Sequence, residues 1–301
     1  MAPNDNRIPV LVNGSAGSAS GGADDLARLL EQAGVAAQVR ELPPGELADA
    51  ITRALRGGAS TIAVAGGDGS LSTAAGILAG TDVTLAPIPL GTLNHFARRL
   101  GLVDVETAVA ALASGRTLRL PVGRVGGRAF INNASCGLYP HLVRHRERMR
   151  GWMGKWPAAF VAGVQVLLGL RSVRLTLETP EATLQRKVPA LWVGLGHGSF
   201  ELPGDAAVKD DARALELVLP HAHGRAGLLG LALRVLWRLA RGRRARTDGL
   251  EILHAPAVML EARHPIDIAL DGEPLRLSAP LQFVIEPEAL QVIAGPDAGT
   301  T

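Results

Sequence analysis

The chain has 301 residues, of which 47% are hydrophobic and 20% charged, with a formal net charge of +3. That length is too great for one small core and suits two domains, and that composition excludes a disordered chain. So small a charge excess does not mark a nucleic-acid binder, so where the charges cluster matters more than their sum.

Residues 1–7 are polar and lack the apolar core of a signal peptide. An apolar run at 8–12 ends in Asn13-Gly14-Ser15-Ala16-Gly17, the pattern of a buried strand entering a small-residue loop. Residues 24–33 follow with Leu26, Leu29 and Leu30 on one helical face. A second strand is expected at 36–42 and a second helix at 46–56, stopped by Gly57-Gly58. A third strand at 61–65 runs at once into Gly66-Gly67-Asp68-Gly69-Ser70, then a helix at 70–79 and a strand at 85–89. Strands alternating with helices predict a parallel sheet covered on both faces. Ligands bind such sheets at the carboxyl ends of the strands, which should gather the loops at 13–17, 66–70 and 91–94 along one edge.

After about residue 115 the pattern changes. Strand-like runs at 122–125, 128–132, 173–178, 187–194, 214–219, 258–262, 266–270 and 281–285 predict an antiparallel β domain, a sandwich. Helical insertions are expected at 139–170 and 225–240, and a frayed tail from 295 to 301. No run of 18 apolar residues occurs, and the richest stretch, 226–240, is interrupted by Arg234 and Arg238, so no transmembrane helix is expected.

The glycine loop suits phosphate. Glycines let the backbone approach closely and adopt positive φ, and the following helix offers N–H groups and a positive dipole end. Asp68 would repel a phosphate, so its expected work is to hold Mg²⁺, directly or through water, or to orient an attacking hydroxyl. A plain strand–helix turn is the alternative. The pattern matches neither the P-loop nor the Rossmann fingerprint. In the second half, Lys209-Asp210-Asp211 precedes a strand, and Asp271-Gly272-Glu273 sits at a β-turn. Turn chemistry accounts for Asp271, and solvent exposure is the plain alternative for Glu273. Cys136, the single cysteine, reads as a buried packing residue; with no intramolecular disulfide possible, the chain fits a reducing cytoplasm.

Together these segments resemble the diacylglycerol kinase catalytic-domain family, particularly its bacterial soluble lipid kinases. The resemblance rests on the loops at 12–17, 65–70 and 89–98, on Phe130-Ile131-Asn132-Asn133-Ala134-Ser135-Cys136-Gly137, on Asp210-Asp211 and on Asp271-Gly272-Glu273. It implies an α/β three-layer N-terminal domain (1–121, with 286–301 returning to it) and a C-terminal antiparallel β-sandwich (122–285), with the nucleotide between them. It implies ATP contacts from Asn13, Gly14, Ser15, Ala16 and Gly17, from Gly66, Gly67, Asp68, Gly69, Ser70, Leu71 and Ser72, and from Thr92 and Asn94. Asp68 would organise Mg-ATP, and Glu273 would accept the proton of a lipid hydroxyl. Asp211, with the carbonyls of Val208 and Arg213, matches a structural Mg²⁺ loop. Both Glu273→Gln and Asp68→Asn are expected to keep the fold and lose turnover. The chain departs from the family at Ser70, Leu93, His95, Ala212 and 194–200.

Two basic, Trp- and Leu-bearing segments suit an anionic membrane surface. Residues 141–156 carry Arg144, Arg146, Arg148, Arg150 and Lys155 beside Trp152 and Trp156, and 225–246 carry seven Arg and no acidic residue. The expected location is cytoplasmic, peripheral at the inner membrane face. An amphipathic helix packed on the sandwich fits these segments equally. An NAD kinase-like enzyme and a non-catalytic nucleotide- or lipid-binding protein on the same scaffold are the competing readings. Nucleic-acid binding is disfavoured by the scarcity of aromatics. Neither the acceptor lipid nor the oligomeric state is legible in the sequence.

Overall fold

Strands buried on both faces carry near-continuous apolar runs, and Thr-Ile-Ala-Val-Ala-Gly and Thr-Leu-Ala-Pro-Ile-Pro in the first half are of that kind. The computed structural model describes residues 7–14, 22–136, 173–178, 183–188, 190–196, 213–220, 227, 230, 250–296 and 298. In it these runs form β3 (Thr61–Gly66) and β4 (Thr84–Pro89), paired in parallel with each other and, through β3, with β1 (Ile8–Asn13). Strand β2 (Ala37–Leu42) adds on the far side of β1. Helix α1 (Ala23–Gln32) packs beside α5 (Val105–Ser114), and α2 (Leu47–Arg56) beside α3 (Asp68–Leu78), giving the three-layer α/β unit expected. The short α4 (His95–Arg99) follows β4.

Local chemistry sets these helix ends. Asp24 and Asp25 lie in the first turn of α1 and Arg53 and Arg56 in the last turn of α2, each on the side the helix dipole favours. Asp104 caps α5 in a capping box with Thr107, and Gly115 ends it at φ 70°. Helix α3 starts two residues before the predicted position, directly behind an extended Gly67, which puts Asp68 in its first turn.

The second half begins with β5 (Thr117–Val125), β6 (Arg128–Phe130) and β7 (Asn133–Cys136). The strand predicted at 128–132 ends at Phe130, because the chain there leaves one sheet for another, and β7 was not foreseen. There follow β8 (Val173–Glu178), β9 (Thr183–Val188), β10 (Leu191–Leu195) and β11 (Leu215–Pro220). The chain continues with β12 (Leu250–Ala255), β13 (Ala257–Glu261), β14 (Ile266–Leu270), β15 (Glu273–Leu277) and β16 (Leu281–Ile293). Six antiparallel strands form one sheet in the order β12-β11-β10-β7-β14-β15. The other sheet runs β2-β1-β3-β4-β16-β13-β8-β9, with β5 and β6 branching from β16. Phe130, Leu175, Leu260 and Phe283 of the larger sheet share a core with Cys136, Leu217 and Ile268 of the smaller, the antiparallel sandwich expected. Burial pushes the Cys136 thiol up to about 12, as suits a packing residue.

Strand β16 is far longer than the predicted 281–285. Pro287 falls at a bulge, where the register with β5 shifts between Glu286 and Leu290 and Glu288 takes φ 52°. Its first part gives Leu281, Phe283 and Ile285 to the sandwich core, and its second gives Leu290, Val292 and Ile293 to the α/β core. Residues 295–301 were expected to fray; of these, 297 and 299–301 lie outside the described residues. Instead Arg116 donates to the carbonyls of Gly295, Pro296 and Ala298, and Ala294 and Ala298 are buried. Among the described residues no helix is long and apolar enough to cross a membrane. The basic segment 141–156 lies outside the described residues, as does 225–246 apart from Gly227 and Gly230.

Gly123 of β5 lies opposite Phe130, which is fully buried and meets the Phe283 ring edge-on at 6.4 Å between centroids. A Cβ at position 123 would overlap the Phe130 ring. Gly123→Ala should therefore lower unfolding free energy by about 1–3 kcal/mol, as overpacked cores do. Urea denaturation checks this, and an unmoved midpoint would contradict it.

Candidate functional site

Parallel strands deliver their carboxyl ends to one edge of the sheet, and here Asn13, Gly66 and Pro89 end β1, β3 and β4 on that edge. The exits of β3 and β4 stay together through Leu90 N–H donating to Gly66 O at 3.0 Å. Small residues are required where the loops touch. A Cβ on Gly66 would lie 2.6 Å from Ser70 Cβ and Oγ, and one on Gly91 would lie 2.6 Å from Gly67 Cα. The tucked Ser70 hydroxyl accepts from Asn13 Nδ2 at 2.8 Å, joining the first loop to the second. Gly14 N–H donates to Leu42 O at 3.1 Å; Ser15, Ala16 and Gly17 lie outside the described residues. Asn94, buried and left-handed at φ 51°, closes its own loop: its Oδ1 accepts from Gly91 N–H and its Nδ2 donates to Gly91 O. That leaves Thr92 and Leu93 exposed at the loop tip.

The first i→i−4 bond at the start of α3 runs from Leu71 N–H to Gly67 O. The amides of Asp68, Gly69 and Ser70 precede it, at the positive end of an eleven-residue helix. Backbone N–H groups so placed, bordered by bare Gly66, Gly67 and Gly91, form a cradle suited to phosphate. Leu71 points into the core and is fully buried.

Three acidic side chains converge here, with different surroundings. Asp68 accepts from His95 N–H at 3.1 Å and from Phe96 N–H at 3.0 Å, so its two oxygens cap α4. This capping role is one the sequence did not reveal. Glu273, at the first position of β15, is exposed, and its carboxylate lies against Gly69: a Cβ there would overlap Oε1, with Cδ 3.5 Å away. The two-residue turn Asp271-Gly272, with φ 47° and 89°, is the Asp-Gly hairpin turn read from the sequence, and it sets Glu273 opposite Leu270.

Asp271 itself does far more than turn chemistry. Its Oδ2 accepts from Ser72 Oγ at 2.7 Å and from Ile131 N–H at 2.9 Å, and its Oδ1 accepts from the N–H of Asn132 at 2.7 Å and of Asn133 at 3.1 Å. Burial pushes its pKa up, and these hydrogen bonds pull it partly back. Ser72, assigned to ATP by resemblance, turns its hydroxyl to this carboxylate. Arg99 lies close by, donating to Ile131 O at 3.2 Å and Asn132 Oδ1 at 3.4 Å. Its burial lowers its pKa, and the charge of Asp271 opposes that shift. Neither Asp271 nor Arg99 stood out as a site residue in sequence. The Asp-Gly pair signals only a turn, and Arg99 sits in an ordinary helical string.

Of the expected metal loop, Val208 and Asp211 lie outside the described residues, and the exposed Arg213 stands just before β11. Among the described residues no group of three or more His, Cys, Asp or Glu could hold a metal ion.

Residues 7–125 match the family model described as the diacylglycerol kinase catalytic domain. A Pseudomonas syringae pv. tomato protein named "Probable lipid kinase YegS-like" is 31% identical over 261 residues, covering 82% of this chain and 80% of its own. The Bacillus subtilis protein named "Diacylglycerol kinase" is 29% identical over 220 residues, covering 70% of each chain. Among solved structures, a diacylglycerol kinase from Bacillus anthracis shares the fold with a TM-score of 0.65 at 18% identity, over 97% of this chain and 98% of that one.

The cap made by Asp68 changes one expectation drawn from sequence, that Asp68→Asn leaves the fold intact. An Asn can accept one of the two amides but turns its own N–H groups on the other. We expect Asp68→Asn to lose about 1–3 kcal/mol of stability, measured by chemical denaturation; an unchanged midpoint would contradict the cap.

Proposed function

The chain belongs to the diacylglycerol kinase catalytic-domain family, and from that premise we propose that it transfers the γ-phosphate of ATP to the hydroxyl of a lipid. The observation that carries this reading is Glu273: an exposed carboxylate held against Gly69, at the mouth of a glycine-lined phosphate cradle. Phosphoryl transfer asks the protein for alignment and charge neutralisation. In this reading the amides of Gly67 to Ser70 and the positive end of α3 take the phosphates, and Thr92 lies at the rim. The Asp68 oxygens are engaged with two amides yet keep further lone pairs, which fit a Mg²⁺ ion brought by ATP, directly or through water. Such an ion would neutralise charge on the transferring group.

The acceptor hydroxyl would enter beside Glu273. Its O–H bond breaks toward the Glu273 carboxylate while its oxygen bonds to the γ-phosphorus, and ADP departs with the former bridging oxygen. The resemblance supports a second, structural Mg²⁺ loop at Asp211 with the carbonyls of Val208 and Arg213. Lipid would be reached from the cytoplasmic face of a membrane through the basic segments 141–156 and 225–246, whose composition supports that contact.

Incubation with labelled ATP, Mg²⁺ and separate vesicles of diacylglycerol, phosphatidylglycerol or a sphingoid base tests the reading. One labelled lipid product is expected; label passing only to NAD, or to no acceptor, would contradict it. Glu273→Gln should keep its melting temperature and lower kcat by about 10²- to 10⁴-fold, the usual worth of a general base. A rate near wild type would remove Glu273 from the chemistry.

A further inference from the structure

Strand β6 belongs to the ten-stranded sheet and β7 to the six-stranded one, so Ile131 and Asn132 carry the chain across. This crossing is held from two sides. Arg99, at the end of α4, takes its carbonyl side, and Asp271 takes three successive amides. Satisfying those amides would explain a half-buried carboxylate in a turn. It does not explain Ser72, which lies 199 residues away in sequence and gives Asp271 its fourth hydrogen bond.

The placement of Ser72 is informative. It stands three residues after Gly69 on α3, so the two share a helix face. Asp271 stands two residues before Glu273 at the head of one hairpin. The Ser72–Asp271 bond therefore joins the helix under the phosphate cradle to the hairpin that carries Glu273.

We propose that Ser72 and Asp271 form a positioning latch that holds the β14–β15 hairpin against α3 and so keeps Glu273 over Gly69. This rests on the kinase reading above, in which Glu273 takes the proton of the acceptor. Neither latch residue touches the reacting atoms. The latch also gives Ser72 a role different from the ATP contact that the resemblance implies, and steady-state kinetics separates the two. A nucleotide contact acts on KM for ATP, whereas a latch acts on kcat.

The test compares wild type, Ser72→Ala, Ser72→Thr, Glu273→Gln and the Ser72→Ala/Glu273→Gln double variant, using labelled ATP and the lipid that wild type phosphorylates. Ser72→Ala should lower kcat about ten- to a hundredfold, the scale of a displaced catalytic group, with KM for ATP within about twofold of wild type. Ser72→Thr, which keeps the hydroxyl, should recover most of that loss. In the Glu273→Gln background, Ser72→Ala should cost nothing further, because the group it positions is gone. A raised KM for ATP with unchanged kcat overturns the latch, as does an unaffected rate, or a loss that persists undiminished without Glu273. Should wild type phosphorylate no lipid, the kinase reading fails, and the latch is then judged by hydrogen exchange. Faster exchange at amides 131–133 in Ser72→Ala supports it, and unchanged exchange overturns it.

Discussion

One strand belongs to both halves of this molecule. β16 pairs in parallel with β4 at its carboxyl end, antiparallel with β13 at its amino end, and with β5 along most of its length. The α/β sheet and one leaf of the sandwich are thereby a single hydrogen-bonded sheet. A hinge between the halves would have to bend or break that ladder, and bending is concentrated where the bulge at Glu286–Leu290 already interrupts it. The glycine loop on one side and the Asp271-Gly272 hairpin on the other are thus held at a separation set by backbone geometry, which a site shared between two sheets requires.

On that frame, three carboxylates in one small region have three different fates. Asp68 caps a helix that leaves the next loop. Asp271 lies half-buried among four donors, as a partly desolvated carboxylate must. Glu273 alone is exposed, its carboxylate set against the first turn of α3. The first two organise backbone, and the third is left to act on something else. Glycine does the complementary work: Gly66, Gly67 and Gly91 let the loops touch with no side chain between them and the space above.

The parallel half was legible in sequence because every signal agreed there: apolar strands, helical spacing and small-residue loops after strands. Sandwich strands were found but poorly bounded. The run at 187–194 spans the end of β9 and most of β10; β7 escaped notice at only four residues, and so did β12 and β15, which are partly exposed. The full length of β16 was not read, since nothing local announces that a bulge will carry the strand past Pro287. Arg116 similarly gives no hint in sequence that it will hold the carbonyls of Gly295, Pro296 and Ala298. At the site, the loop at Gly66 to Ser70 was legible as a glycine-rich passage from strand to helix, while Glu273 was singled out only through the family resemblance. The role of Asp271 was not legible, because its partners Ser72 and 131–133 lie far off in the chain and meet it only once both sheets have formed.

In the proposed kinase reading, the edge formed by the ends of β1, β3 and β4 receives ATP. Hydrogen exchange of the whole protein with and without Mg-ATP tests it most directly. Slowed exchange is expected at residues 66–71 and 91–94, with the hairpin at 271–273 responding beside them. Exchange unchanged at those loops under saturating nucleotide, or protection confined to the distal strands of the sandwich, would contradict it.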